Sequence, residues 1–161
     1  MEEFIKKLKC SIKDSLFEDL YTLPSRESSS QQREIVKMFS NRLITELSKN
    51  VPSFRWEQDH RMTNNSKDSI NIFGLSEDVY VIIELSKPRA DQIAKKMLSR
   101  MACHLDKNII YIAICYPGTE KMDVNECVKY FGFGSMLMNK INKESNVIGC
   151  IIRKNFGIRF Y

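Results

Sequence analysis

The sequence predicts an α/β fold: a mixed central sheet with helices on both faces, preceded by two N-terminal helices. Two segments with helical spacing open the chain, and neither contains a strand-like run. Three strand-like runs then follow, the last two with about four residues between them, which predicts an antiparallel hairpin. The last of these runs leads into a helix and then into another apolar run, the βαβ order that makes neighbouring strands parallel.

The first helix is expected over residues 3–20, where Phe4, Ile5, Leu8, Ile12, Leu16 and Leu20 share one broad face. Pro24 and the polar run at 25–30 break the pattern and read as a loop. A second helix is expected over 30–49, with a stripe of Val36, Phe39, Leu43 and Leu47, Ser30 as its N-cap and Glu34 in its first turn. Pro52 closes it. Strands are expected over 54–60, 68–74 and 79–85, with a turn at 62–67; the third is apolar on both faces, as a central strand should be.

Pro88 marks the exit from that strand. The helix over 89–105 carries Ile93, Met97, Leu98, Met101 and Leu105 on one side and Lys95, Lys96 and Arg100 on the other. A buried strand is expected over 109–115, a turn at Pro117 and Gly118, and a helix from about Asp123 that Gly132 and Gly134 interrupt. A strand over 147–152 and an edge strand in the tail at 156–161 complete a single domain, residues 1–161. It comprises an N-terminal helical part, 1–23, and a core, 30–161.

Composition narrows the class. The 161 residues are 43% hydrophobic and 28% charged, which suits one globular domain. No apolar run is long enough to span a membrane, and the start Met1–Lys7 lacks the apolar stretch of a signal peptide, so a cytoplasmic protein without a targeting segment is expected. The five cysteines form no CxxC pair, which fits a reducing compartment; Cys115 and Cys150 sit in apolar runs and read as small core residues. His60 and His104 are not at metal-ligand spacing with the cysteines, which argues against zinc. With 25 basic and 20 acidic residues the net charge is +5, which permits a polyanionic partner without requiring one. No GxxxxGK, HExxH or GxSxG sequence is present.

Glu84 stands out as an ionisable residue at the end of an otherwise apolar strand, where a carboxylate must be solvated, paired or metal-bound. Asp68 and Asn71 lie on the neighbouring strand, and an antiparallel hairpin can bring either one near Glu84. Oxygen ligands from Asp68, Asn71 and Glu84 at a sheet end would suit magnesium. Lys87 beside them can orient or deprotonate an attacking water, while Arg89, Lys95 and Lys96 can face phosphates. Gln92 lies one helical turn from both Arg89 and Lys96. Each feature also has a plain structural reading. Glu84 and Asp68 can be strand-end salt-bridge residues, and Lys95, Lys96 and Arg100 a solvated helix face. His60 reads as a surface histidine; Trp56, Phe131 and Phe133 as core or interface; Met97, Met101, Met136 and Met138 as core filler.

A helix, a β-hairpin, an acid at the strand end, then helix and strand resemble the core of the PD-(D/E)XK nuclease superfamily, the restriction-endonuclease-like fold. The stretches 67–74 and 82–86 and the run Arg89-Ala90-Asp91-Gln92 carry the resemblance, which spans roughly 30–114. It implies a metal-dependent nuclease acting on DNA, with Asp68 and Glu84 as catalytic acids and metal ligands, Asn71 as a further metal ligand, and Lys87 as the catalytic lysine. Arg89, Gln92, Lys95 and Lys96 would then contact nucleic acid. The chain departs from the motif in two places: Asn71 stands where an acid is usual, and Ser86 stands where the lysine belongs. Lys87 points to the other side of a regular strand. Lys95 or Lys96 could instead reach in from the helix, and Glu34 or Glu46 could complete the metal shell. Without such repair the domain is a catalytically inactive relative that binds nucleic acid or a protein. A third expectation is an assembly subunit, a homodimer through the apolar faces of the N-terminal helices.

Overall fold

A computed structural model describes residues 1–23, 29–62, 68–118, 123–155 and 157–161. The helices are α1 (Glu2–Asp14), α2 (Glu18–Tyr21), α3 (Ser29–Asn50), α4 (Ala90–Ala102) and α5 (Val124–Ile141). The strands are β1 (Arg55–Arg61), β2 (Ser69–Leu75), β3 (Val79–Ser86), β4 (Asn108–Cys115), β5 (Asn146–Arg153) and β6 (Gly157–Phe160). The six strands form one mixed sheet in sequence order. The β2–β3 hairpin is antiparallel, β3, β4 and β5 run parallel through α4 and α5, and β6 returns antiparallel at the edge.

Strand alternation divides the core in two. Val81, Ile83 and Leu85 of β3 pack with Ile110, Ile112 and Ile114 of β4 against Leu8, Ile12, Phe39, Leu43 and Leu47 of α1 and α3. On the other face Ile82, Tyr111 and Ile151 pack against Ile93, Met97, Cys127, Phe131 and Met138 of α4 and α5. The sheet-facing stripes of the helices are thereby covered within the chain, whereas Leu98 and Leu105, expected on the apolar side of the helix over 89–105, are exposed. The apolar faces of α1 and α3, expected as a dimer surface, are buried against their own sheet.

Three local expectations are corrected. The first helix is broken: the buried Ser15 hydroxyl donates back to the Ser11 carbonyl at 2.6 Å, and extended Phe17 starts the short α2. Helix α3 begins at Ser29, so Ser30 lies inside it and its first turn holds no acidic residue. Helix α5 runs unbroken through both glycines, because Gly134 is a packing position where Met97 of α4 occupies the space of a side chain. The loop at 24–28 and most of the turn at 62–67 fall outside the described residues.

Candidate functional site

Glu84 lies on the α4 side of β3 and is 1% exposed. Helix α4 folds back over the strand that precedes it, and its i, i+4 spacing aims Lys96 and Arg100 at the same point. Lys96 Nζ donates to Glu84 Oε2 at 2.7 Å, and Arg100 Nε donates to Oε1 at 2.9 Å. Arg100, itself buried, also donates to the Ser69 carbonyl at 3.1 Å and to Ser99 Oγ at 3.0 Å. Its Nη1 lies 3.8 Å from Asp68 Oδ2. One guanidinium therefore ties the start of β2 to the end of β3. A buried carboxylate is costly in apolar surroundings, and two charge-assisted contacts offset that cost. Burial, together with the Glu84 charge, pushes the Tyr111 phenol well above its ordinary pKa, so it stays neutral.

The expected site residues divide between the faces. Asp68 and Glu84 share the α4 side through Arg100, although the Asp68 side chain is 74% exposed. Asn71 serves elsewhere: its Oδ1 accepts the Leu85 N–H at 2.9 Å, just past the terminal β2–β3 pair of Ile72 and Ile83. Here β2 loses its alternation, since Ile70 joins the α4–α5 core and Ile72 the α1–α3 core. Opposite the break, Asp59 of β1 is left-handed, with φ 51°, a strained conformation for a residue other than glycine. Asp59 and Asn71 line a cleft of about 510 Å³ beneath Arg33 and Lys37 of α3.

Lys87 is half-buried beyond the end of β3. Arg89 and Gln92 both donate to Asp91, at 3.3 and 3.1 Å, and Lys95 is exposed. Lys96, expected on phosphate, holds Glu84, as the alternative of a lysine reaching in from the helix required. Arg100, expected on the solvated side of α4, is instead the centre of the cluster. The signal that could have found it was the pairing of a lone strand-end acid with cations at positions 96 and 100 of the helix that follows.

The donor set does not fit magnesium. Both oxygens of Glu84 already hold cations, and the Asn71 carbonyl is committed to a backbone N–H. Glu34 and Glu46 lie on α3, on the other face of the sheet from Glu84. Among the described residues no group of three His, Cys, Asp or Glu side chains is placed to hold a metal ion.

A second cleft, of about 370 Å³, lies across β4 from the first, lined by Pro88, Cys115, Pro117, Arg153 and Lys154. Both clefts open at the carboxyl ends of the parallel strands, where α/β sheets commonly receive ligands. Cys115 and Pro117 line one and Tyr116 the other, so the end of β4 is the ridge between them. Lys87 and Arg89 emerge at the same sheet end. Among the described residues no helix is long and apolar enough to cross a membrane. Comparison with protein-family models, curated proteins and solved structures finds no match to the chain.

Proposed function

We propose that this chain is a restriction-endonuclease-like domain that binds DNA without cleaving it. The observation that carries this reading is the Glu84 carboxylate, closed off by Lys96 and Arg100 instead of open to a metal. The cations that would engage phosphates surround the carboxyl end of the sheet: Arg33 and Lys37 on one face, Arg153 and Lys154 on the other, Lys87 and Arg89 between. The element order from α3 to β4, with an antiparallel hairpin followed by a parallel crossover, supports the kinship. The residues in motif positions that differ, Asn71 and Ser86, support loss of hydrolysis.

A second reading is metal-dependent hydrolysis of DNA. The observation behind it is that Asp68 and Glu84 both meet the Arg100 guanidinium on one face, with Lys96 on Glu84; a metal would have to displace these cations. One experiment separates the two. Duplex and supercoiled DNA are incubated with the protein and with Glu84→Ala, with magnesium or manganese, and retention on DNA is measured in parallel. Retention without cleavage is expected. Cleavage by the parent that disappears in a variant shown by circular dichroism to remain folded would establish the second reading, and neither retention nor cleavage by the parent would overturn both.

A further inference from the structure

The large apolar side chains left exposed are not scattered. Apart from Met1 and Met38, those among the described residues all lie on the α4–α5 layer: Leu98, Leu105, Phe133, Met136, Leu137 and Ile141, each 42% to 61% exposed. Phe133, expected in the core or an interface, and Met136, expected as core filler, are therefore at the surface. Helix α5 carries two apolar stripes. Cys127, Phe131, Gly134 and Met138 face the sheet, while Phe133, Leu137 and Ile141 repeat at four-residue intervals on an outer flank. Leu98 belongs to the outer side of α4, one position on from buried Met97, and α4 and α5 meet closely where Met97 packs on Gly134. The patch is on the order of 500 Å², within the range of the largest apolar patches that monomers carry, which often mark interaction sites.

We infer that this face binds a second copy of the same chain, α5 against α5, about a two-fold axis at Phe133. Charge selects the occupant. Glu126 and Lys140 bracket the stripe, each seven residues from Phe133. In an antiparallel pair centred on Phe133, Glu126 meets Lys140 of the partner subunit, and the same contact recurs on the other side of the axis. Glu126 Oε1 holds Lys129 of its own helix at 3.5 Å, and the second oxygen remains for the partner. The antiparallel arrangement also sets opposite ends of the helix dipoles together. With Tyr130 and the charged rim added to the apolar stripe, the face approaches the roughly 800 Å² that each member of a stable pair buries.

Sedimentation of the whole chain across protein concentration tests this. A monomer–dimer equilibrium is expected by about 200 μM. Phe133→Glu should weaken it by about 100-fold or more, with the thermal melt at dilute, monomeric concentration little changed, because Phe133 is half exposed and its ring contacts are with Tyr130 and Lys129 of its own helix. Glu126→Lys and Lys140→Glu should each weaken it by about 10-fold, and the double reversal should recover most of the loss. A chain that remains monomeric at that concentration overturns the inference. So does a dimer indifferent to Phe133→Glu, or a double reversal as weak as the two single changes combined.

Discussion

Glu84 shows how much one side chain can demand of its surroundings. Its carboxylate is buried, and the two groups that satisfy it, Lys96 and Arg100, come from a single helix face. Removing it strands the Arg100 guanidinium, which is buried and retains only the Ser69 carbonyl, the Ser99 hydroxyl and distant Asp68. Glu84→Ala is therefore expected to cost about 3–5 kcal/mol of stability, the usual penalty for breaking a buried pair. Arg100→Met alone should be similarly harmful. The double change should cost clearly less than the two together, because the buried carboxylate and guanidinium go together and the cation that loses its partner, Lys96, is partly exposed and can reach water. Urea denaturation of the four proteins measures this, and strictly additive losses would show that the pair does not act as a unit. That the acid needs a partner was legible in the sequence, from its position in an apolar strand. Which partner it takes was not. A lysine–arginine run reads as a solvated helix face until the helix is known to lie over the strand end, and that depends on the short connection through Pro88.

At the scale of elements, long periodic segments were legible: the hairpin, the parallel crossover and the two-faced core follow from alternation and helical spacing alone. Local chemistry was less so. The break between α1 and α2 arises from a serine hydroxyl competing for a helix carbonyl, and Gly134 is a packing position that reads in the sequence like a helix breaker. The turn after α4 is another such place. His104 leaves α4 and packs edge-on to Tyr80 of β3, with ring centroids 5.4 Å apart, and lies 5.2 Å from Phe73 of β2. His60 of β1 stacks on the same Phe73 at 4.2 Å and meets Glu57 at 2.6 Å. His60 is thus half-buried in a cluster, not the plain surface residue its position beside a polar turn implied. Burial first, and then the neighbouring His60 against the weaker pull of Asp106, hold the His104 pKa below the ordinary histidine value. A pKa depressed by folding means that the unfolded chain takes up the proton first. Stability is then complete above about pH 6.5 and declines as pH falls toward the folded pKa. The melting temperature should therefore drop as pH falls below about 6.5. His104→Phe, which keeps the ring packing without the titration, should flatten that decline. Glu57, whose pKa is also depressed, chiefly by its hydrogen bond to His60, acts at lower pH. An undiminished decline in His104→Phe would show that another group sets it.

At the scale of the whole molecule, the two layers carry different surfaces. The α4–α5 layer presents an apolar stripe, while the carboxyl end of the sheet gathers basic side chains from both faces. A net charge of +5 spread evenly over the surface would attract DNA weakly and without geometry. The six basic side chains at the carboxyl end, Arg33, Lys37, Lys87, Arg89, Arg153 and Lys154, predict instead a definite counterion count. If about four phosphates are neutralised, the logarithm of the DNA association constant should fall with the logarithm of salt concentration at a slope of roughly −3 to −4. Between 50 and 200 mM salt that is a loss of about a hundredfold. On the proposed DNA-binding reading, Lys87→Ala and Arg89→Ala should each reduce the slope by about one, since each would remove a phosphate contact. Lys143→Ala is the control: it removes the same charge from an exposed position before β5, at the opposite end of the sheet. Net charge alone would make the three variants equivalent, whereas a localised site makes only the first two change the slope. Fluorescence anisotropy of a labelled duplex across a salt series distinguishes these outcomes. Equal slopes in all three variants would remove the carboxyl end of the sheet as the DNA-binding surface, whatever the affinity of the parent.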